Sequence, residues 1–252
     1  MDLGRYRVKQ CRHGWMMYSG THHWPVPTCL DLYGEYSEAE IELMNCLVFE
    51  GQTVLDVGAN IGDLTVPLAR MVGTQGKVYA FEANPQPYNV LCANLALNDL
   101  EQVRPINAFV GRADEAPNPN FTGGRWPAAQ VAIDDFGLEA CALIKIDVDG
   151  GEKSVIESAH QTIARLRPAL YFENDVRPLS EALLSHVMAL DYNLYWHIAP
   201  VFRENNYFDN PHPFWPERGM MSSIMVLGLP KEWRLELPLP LPPIQDPRDW
   251  WE

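Results

Sequence analysis

Acidic or amide side chains stand at the ends of five apolar segments that have the length and composition of buried strands. These residues are Asp56, Glu82, Asn107, Asp147 and Glu173. Short apolar runs bounded by turn residues are typical of parallel strands that are buried on both faces. Open α/β sheets bind their ligands at the carboxyl ends of such strands. Because packing does not require polar residues at successive strand ends, the pattern predicts a ligand cleft lined by carboxylate and amide groups.

A glycine-rich turn follows the first of these strands and leads into a helix, within residues 53–65. Dinucleotide-binding turns have the spacing G-x-G-x-x-G. Here Gly58 and Gly62 are spaced G-x-x-x-G, and Asn60 stands where a second glycine would be. Asn tolerates a left-handed backbone, so we expect Asn60 to hold the turn without glycine. The carboxylate of Asp56, two residues before the turn, favours a cationic ligand over a pyrophosphate.

S-Adenosylmethionine is a ligand of that kind, because it carries both an ammonium and a sulfonium group. Glu82 follows the turn at the distance of about 20 residues at which an acid binds a ribose hydroxyl in nucleotide-binding α/β folds. Both nicotinamide and S-adenosylmethionine sites use such an acid, so Glu82 does not distinguish between them. The glycine spacing and Asp56 favour S-adenosylmethionine.

Three segments together resemble the FkbM family of S-adenosylmethionine-dependent methyltransferases. They are D-V-G-A-N-I-G-D-L-T from Asp56, V-Y-A-F-E-A-N-P from Val78 and I-K-I-D-V-D-G-G-E from Ile144. The resemblance extends over residues 34–178. Asp149 departs from the family pattern, which more often has Glu at that position. The resemblance implies O-methylation of a hydroxyl group on a sugar, a glycan precursor or a secondary metabolite, and an amine acceptor also stays open.

The cofactor is expected to contact the glycine turn, the first three strand ends and the segment that precedes the first strand. Residues 37–40 have the pattern of a capping box that begins a helix next to this segment. The expected cofactor contacts are Tyr36, Ser37, Asp56, Gly58, Asn60, Gly62, Glu82, Ala83, Asn107 and Ala108.

Methyl transfer to a hydroxyl group requires a side chain that accepts the proton of the acceptor. Asp147, beside the predicted cleft, is the first candidate, although it could instead bind the ammonium of the cofactor or cap the following helix. His197 is the second candidate because it ends the predicted sixth strand and its unperturbed pKa lies near neutrality. Both are therefore predicted catalytic residues.

A metal site is the alternative interpretation of the acids that follow the fourth and fifth strands. Asp147, Glu173 and Asn174 are similar to the ligand set of catechol-type O-methyltransferases, and three oxygen ligands would suit Mg²⁺. The match is loose because Glu173 stands in place of an Asp. We therefore expect no resident metal.

Two other functions compete with methyl transfer. A nicotinamide-dependent oxidoreductase is disfavoured by the absent third glycine and by Asp56. A non-catalytic module that binds S-adenosylmethionine would keep the cleft without using its acids, and the sequence does not distinguish it from an enzyme.

The composition narrows the class of protein and of partner. A chain of 252 residues can bury one large core, and no apolar run reaches the length of a membrane span. The formal net charge of -14 argues against nucleic acid as a partner and leaves a small-molecule or glycan acceptor. Five cysteines without a C-x-x-C pair, and a start without a secretion signal, favour a cytoplasmic location.

Apolar strands that alternate with helices predict an α/β fold, a doubly wound Rossmann-like sandwich of the class I methyltransferase type. We expect seven strands, the third over residues 103–110 and the last antiparallel over residues 222–227, and a helix over residues 152–165. Residues 1–36 are predicted to form an aromatic cap of short strands and turns, residues 37–230 the methyltransferase domain, and residues 231–252 a Pro-rich extended tail. The loops at 111–127 and 200–219 are expected to be functional, the second beside the acceptor. The tail could dock on its own domain or on a second subunit, which leaves a homodimer open.

Overall fold

The structure is a computed structural model that describes residues 1–21, 25–112, 129–214, 221–234, 237 and 240–251. The predicted functional loop 111–127 lies outside the described residues from position 113 onward. Residues 215–219 of the second predicted loop also lie outside them.

The strands and helices are numbered along the chain. The strands are β1 (Asp2–Leu3), β2 (Tyr6–Cys11), β3 (Gly14–Ser19), β4 (Thr53–Val57), β5 (Lys77–Phe81), β6 (Val103–Ile106), β7 (Ala108–Val110), β8 (Ala129–Val131), β9 (Leu143–Ile146), β10 (Ala169–Glu173), β11 (Tyr192–Pro200), β12 (Ser222–Pro230) and β13 (Pro243–Ile244). The helices are α1 (Pro25–Leu32), α2 (Glu38–Asn45), α3 (Thr65–Val72), α4 (Pro85–Leu97), α5 (Glu152–Ser158), α6 (His160–Leu166) and α7 (Arg177–Ala189).

Among the described residues, the central sheet has eight strands in the order β13-β11-β12-β10-β9-β4-β5-β6. The strands from β6 to β10 across the sheet are parallel, and β12 lies antiparallel between β10 and β11. This order confirms the predicted doubly wound α/β sandwich with a late antiparallel strand. The order reverses between β4 and β9, which is the place where such sheets bind ligands.

The eighth strand comes from the Pro-rich tail. Pro243–Ile244 pair with β11, and the carbonyl of Pro242 accepts a hydrogen bond of 2.9 Å from the amide of Trp196. Trp250 packs edge-on against Trp196 at 6.0 Å between ring centroids. Proline is tolerated here because an edge strand can offer carbonyl groups without using its own N–H groups. The described part of the tail therefore docks on its own domain.

Helices cover both faces of the sheet. The cap and helices α1 to α4 pack on one face, and α5, α6 and α7 pack on the other. Alternate residues of the central strands face α1 to α4, and this face carries Asp56 and Lys145 among apolar neighbours. No helix in the described ranges is long and apolar enough to cross a bilayer.

Four local predictions need correction. The predicted third strand is broken at Asn107 into β6 and β7, because β7 leaves the central sheet and pairs with β8. The helix predicted over 152–165 is two helices separated at Ala159. The cap contains helix α1, which begins at Pro25, a residue that the first turn of a helix tolerates. Ser37 makes no side-chain cap at α2, and its φ of 48° is left-handed, so the capping box is wrong.

The cap docks on helix α4 through two asparagines. The amide of Asn94 donates to the carbonyl oxygens of Met17 and Ile61, and its oxygen accepts from the Met17 amide at 2.6 Å. Asn98 exchanges two hydrogen bonds with the backbone of Trp15. One buried carboxamide thus joins the cap to the glycine turn through Ile61.

Candidate functional site

A cleft of about 600 Å³ opens at the carboxyl ends of β4, β5 and β9. The glycine turn forms its floor, β7 forms one side, and the cap contributes Tyr6, Pro25 and Tyr36 to the other. Its charged lining residues, among those described, are Glu82, Asp147 and Asp149, with no lysine or arginine. The cleft therefore has the electrostatic character that favours a cationic ligand.

The glycine turn has the conformation that the sequence predicts. Asn60 has a φ of 48°, which confirms that it holds a left-handed position without glycine. Gly58 has a φ of 81°, and a Cβ atom there would lie 1.7 Å from the carbonyl oxygen of Asp147. A side chain at position 58 would push apart the two loops that form the cleft. Gly62 has a φ of 90°, and a Cβ there would lie 2.8 Å from the Cδ1 atom of the Leu91 side chain.

Glu82 lines the cleft and ties the end of β5 to the turn. Its carboxylate accepts backbone hydrogen bonds from Asn60 at 2.8 Å and from Asn84 at 2.7 Å. Burial raises the pKa of Glu82 to about 7, although these two hydrogen bonds act in the opposite direction. Asn107 does not line the cleft, because its amide donates to the carbonyl oxygens of Glu82 and Ala83. Ala83 and Ala108 are part of the lining.

Asp56 lies under the cleft and does not line it. The residue is fully buried, and its Oδ2 accepts a hydrogen bond of 2.6 Å from Thr65 Oγ1. Its Oδ1 lies 3.2 Å from Nζ of Lys145. Sequence reasoning missed Lys145, although a lysine within the apolar strand I-K-I is a visible signal that a buried charge needs a partner.

Asp147 lines the cleft, and its side chain is 42% exposed. Its Oδ2 lies 3.8 Å from Nζ of Lys145. The turn that follows is held by Glu152, whose Oε1 accepts from the amides of Val148 and Gly150. The structure therefore brings Asp147, Glu82 and the glycine turn to one cavity.

The residues of the metal alternative lie at the ends of β9 and β10, and Glu173 and Asn174 have partners within the protein. Among the described residues, no group of three or more His, Cys, Asp and Glu side chains is arranged to hold a metal ion. The buried amide of Asn174 donates to Ser180 Oγ. Burial and the nearby carboxylates of Asp147 and Asp175 raise the pKa of Glu173 to about 10.

Tyr36 and Ser37, which lie before helix α2 and strand β4, differ in their relation to the cleft. Tyr36 lines the cleft, whereas Ser37 is buried beneath it and donates to Glu40 Oε1 at 2.5 Å. Glu40 Oε2 and Asp63 Oδ1 are buried atoms without a hydrogen-bond partner in the described structure. Burial raises the pKa of Asp63 to about 7. Asp63 stands in the glycine turn motif itself, but sequence reasoning gave it no role.

His197 is not at a strand end, because β11 continues in register with β12 as far as Pro200. The ring is only 6% exposed, does not line the cleft, and has Nδ1 2.8 Å from the hydroxyl of Tyr171. Burial lowers the pKa of His197 to about 4. At neutral pH its imidazole is therefore uncharged and engaged inside the protein.

The loop after β11 holds the cap and contributes none of its described residues to the cleft lining. Glu35, itself buried, accepts from Arg12 Nε at 2.7 Å, from Arg203 Nε at 2.6 Å and from the amide of Tyr207 at 2.7 Å. One carboxylate thus joins the hairpin, the entrance to α2 and this loop. Sequence pattern does not reveal the contact, because its members are far apart in the chain.

A family model described as the methyltransferase FkbM domain matches residues 56–207, which is more than half of the chain. The matched range contains the glycine turn, Glu82 and Asp147.

Two solved structures share the fold. A methyltransferase FkbM from Methylobacillus flagellatus superposes with a TM-score of 0.51 at 19% identity, over 72% of this chain and 44% of that one. A precorrin-6y C5,15-methyltransferase from Geobacter metallireducens gives 0.51 at 14% identity, over 75% and 87% of the two chains. At such identities the comparison supports the fold alone.

A shorter sequence match exists to the tRNA(Phe) (4-demethylwyosine(37)-C(7)) aminocarboxypropyltransferase of Methanocaldococcus jannaschii. The two chains are 41% identical over 76 residues, which is 29% of this chain and 30% of that protein. The chain thus spans less than half the length of this relative and of the FkbM structure that it matches.

Proposed function

The chain belongs to the FkbM methyltransferase family, and from this premise we propose that it methylates a hydroxyl oxygen with S-adenosylmethionine as the donor. The proposed acceptor is a sugar, a glycan precursor or a secondary metabolite. The observation that carries the proposal is the cleft itself, which has three carboxylates and no described basic residue next to a glycine turn with positive φ angles.

The residues that are present fit the proposed cofactor. Gly58 and Asn60 of the turn line the cleft, and Glu82 presents a carboxylate at the end of β5 as a partner for ribose hydroxyls. Tyr36 lines the cleft beside the turn. When bound, S-adenosylmethionine supplies an electrophilic methyl group on a sulfonium.

A nicotinamide cofactor fits less well. Its pyrophosphate would have to lie in a cleft whose described charged groups are all acidic. The G-x-x-x-G spacing of Gly58 and Gly62 also departs from the dinucleotide turn. Both observations support the methyl donor over the oxidoreductase alternative.

For the proton of the acceptor hydroxyl we favour Asp147 over His197 as the base. Asp147 is exposed to the cleft, so one of its oxygens can accept the proton and release it to solvent. His197 is enclosed and bonded to Tyr171, which supports a structural role for its imidazole. No metal is required in this scheme, because a carboxylate suffices as the proton acceptor.

The cap and strand β7 supply apolar walls for the acceptor. Tyr6, Pro25 and Phe109 lie on the rim of the cleft, and flat apolar surfaces of this type pack against sugar rings and similar small molecules. The acidic lining disfavours acceptors that carry phosphate near the reacting hydroxyl. An acceptor without a phosphate group near the reacting hydroxyl is therefore proposed. A cytoplasmic location is also proposed, and the five free thiols support it.

The proposal is tested by calorimetric titration of the purified chain with S-adenosylmethionine and, separately, with NADH. We expect micromolar binding of the first and none of the second. Absence of S-adenosylmethionine binding would overturn the proposal.

The transferred group is tested by incubating the purified chain and cell extracts with S-adenosylmethionine in two preparations. One is labelled in the methyl group and the other in the aminocarboxypropyl group. Methyl label in an acceptor, with or without a chelator, is the expected result. Transfer of the second label alone would assign this chain the type of reaction named for its Methanocaldococcus relative. Binding without any transfer would identify a non-catalytic module.

A further inference from the structure

The centre of the sheet contains a lysine whose side chain reaches the cleft from below. Lys145 is 2% exposed, on strand β9, where all four residues are buried. An ammonium group in such a position costs several kcal/mol unless it is paired. An apolar residue would pack there at lower cost, so the lysine calls for an explanation beyond packing.

The ammonium of Lys145 joins three elements of the site. Nζ lies 3.2 Å from Asp56 Oδ1, donates to the carbonyl oxygen of Gly58 at 3.2 Å, and lies 3.8 Å from Asp147 Oδ2. These groups belong to the strand before the turn, to the turn itself and to the proposed base.

The surroundings keep this lysine charged. Burial acts to lower the pKa of Lys145, but the carboxylates of Asp56 and Asp147, with those of Asp63 and Glu40, raise it above its ordinary value. The lysine is the cation that allows several acids to lie together under the cleft.

We propose that Lys145 is a positioning residue of the cofactor site, whose ammonium fixes the Gly58 carbonyl and the Asp147 carboxylate relative to each other. The turn and the Asp147 backbone approach so closely that a Cβ at position 58 would lie 1.7 Å from the Asp147 carbonyl oxygen, so the same contact sets the width of the cleft floor. The buried pair with Asp56 anchors the ammonium in this place. The inference rests on the proposed function, because it names the residue that positions that same cofactor site.

The difficulty for any test is that Lys145→Met alone leaves Asp56 as an unpaired buried charge, which would destabilise the fold. The double variant Asp56→Asn/Lys145→Met removes both charges together and is expected to recover much of the stability. Lys153→Met is the matched control, because Lys153 pairs with Glu157 on the surface of α5 and does not line the cleft.

The measurements are thermal unfolding and calorimetric titration with S-adenosylmethionine, on the full chain. A charge-assisted hydrogen bond contributes enough that its loss reduces affinity about tenfold or more. We expect the double variant to unfold near the wild-type temperature while its dissociation constant rises at least tenfold. Asp56→Asn alone keeps the lysine at the Gly58 carbonyl and should weaken binding at least threefold less than the double variant.

Binding by the double variant within about threefold of wild type would overturn the inference, because the buried pair would then serve stability alone. A loss in Asp56→Asn as large as that in the double variant would also overturn it, by assigning the effect to Asp56. If the wild-type chain does not bind S-adenosylmethionine at all, the proposed function fails, and this outcome is distinct from the other two.

Discussion

The two halves of the cleft are built in different ways. The cofactor half consists of strand ends and a glycine turn, where Gly58 and Asn60 fix the backbone and Lys145 supports it from below. The cap half consists of side chains that reach across to distant backbone, as Asn94 and Glu35 do. The turn and strand ends of the first half are formed by short stretches of sequence, although Lys145 bonds Gly58 from 87 positions away. The second half joins segments 77 to 172 positions apart.

This difference determines which positions of the cleft tolerate substitution. A turn with a positive φ and a close backbone approach tolerates few substitutions, since each one meets main-chain atoms. A cap held by side-chain hydrogen bonds can change its lining residues while the bonds are kept. We infer that the cofactor half sets the chemistry and that the cap half is the place where acceptor preference is determined.

The largest expected effect is in the cofactor half, at Gly58. Gly58→Ala forces a left-handed alanine, at a cost of about 1–2 kcal/mol, and puts its Cβ against the Asp147 carbonyl. We expect a loss of about 3 kcal/mol or more in the free energy of unfolding and a loss of S-adenosylmethionine affinity of at least about hundredfold. Urea unfolding and calorimetry measure the two effects.

Gly51→Ala is the control for backbone strain. Gly51 has a φ of 85°, but nothing lies within 4 Å of the Cβ position. The substitution should lower the free energy of unfolding by only about 1 kcal/mol and leave the affinity for S-adenosylmethionine unchanged. Equal effects of the two substitutions would show that strain, and not the close approach of the two loops, governs the site.

The second-largest effect is expected at Asn94, which joins the cap to the glycine turn. Asn94→Ala removes three hydrogen bonds from a fully buried carboxamide, and leaves the Ile61 carbonyl of the turn without its side-chain donor. We expect about 2–3 kcal/mol of destabilisation and a several-fold loss of S-adenosylmethionine affinity. Hydrogen exchange should increase in β3 and in the turn together.

Asn98→Ala is the matched control, because Asn98 bonds the same cap strand without touching the turn. We expect Asn98→Ala to destabilise the fold by about 1 kcal/mol and to leave the affinity for S-adenosylmethionine unchanged. If Asn94→Ala loosens the cap while the affinity stays at the wild-type value, the two halves are independent and the coupling through Ile61 is refuted.

The cofactor half could be predicted from sequence because its signals are local. Asn60 at a left-handed position and Glu82 at a strand end follow from residue type and spacing. Asp56 was assigned to the ligand because a strand end gives no indication of which face its side chain takes. Its partner Lys145, 89 positions away in sequence, accounts for the burial.

The cap half could not be predicted in the same way. The contacts of Glu35 with Arg203 and Tyr207 depend on tertiary structure alone. His197 was placed at a strand end because the sequence after it resembles a loop, but pairing with β12 extends the strand. The central sheet, by contrast, followed from the alternation of apolar strands and helices.

The smallest expected effect is a pH dependence of stability and of cofactor affinity that arises from Glu82, in the cofactor half. Burial raises the pKa of Glu82 from 4.5 to about 7, so the folded chain holds a proton there that the unfolded chain releases above pH 4.5. The stability that this group contributes is therefore complete below pH 4.5 and is lost as the pH rises through about 7. Cofactor binding has the opposite sign, because a cationic ligand with ribose hydroxyls prefers the ionised carboxylate.

We therefore expect S-adenosylmethionine affinity to increase about three- to tenfold between pH 6 and pH 8, measured by calorimetry in buffers of matched ionic strength. Glu82→Gln, which is neutral at every pH, should bind more weakly and lose this slope. Asn94→Ala should keep it, since the cap half does not titrate with the ligand. The pKa of Asp63 is also raised to about 7, so Asp63→Asn is the necessary comparison. A slope that survives in Glu82→Gln and disappears in Asp63→Asn would move the titrating group from the strand end into the turn, while still leaving it in the cofactor half.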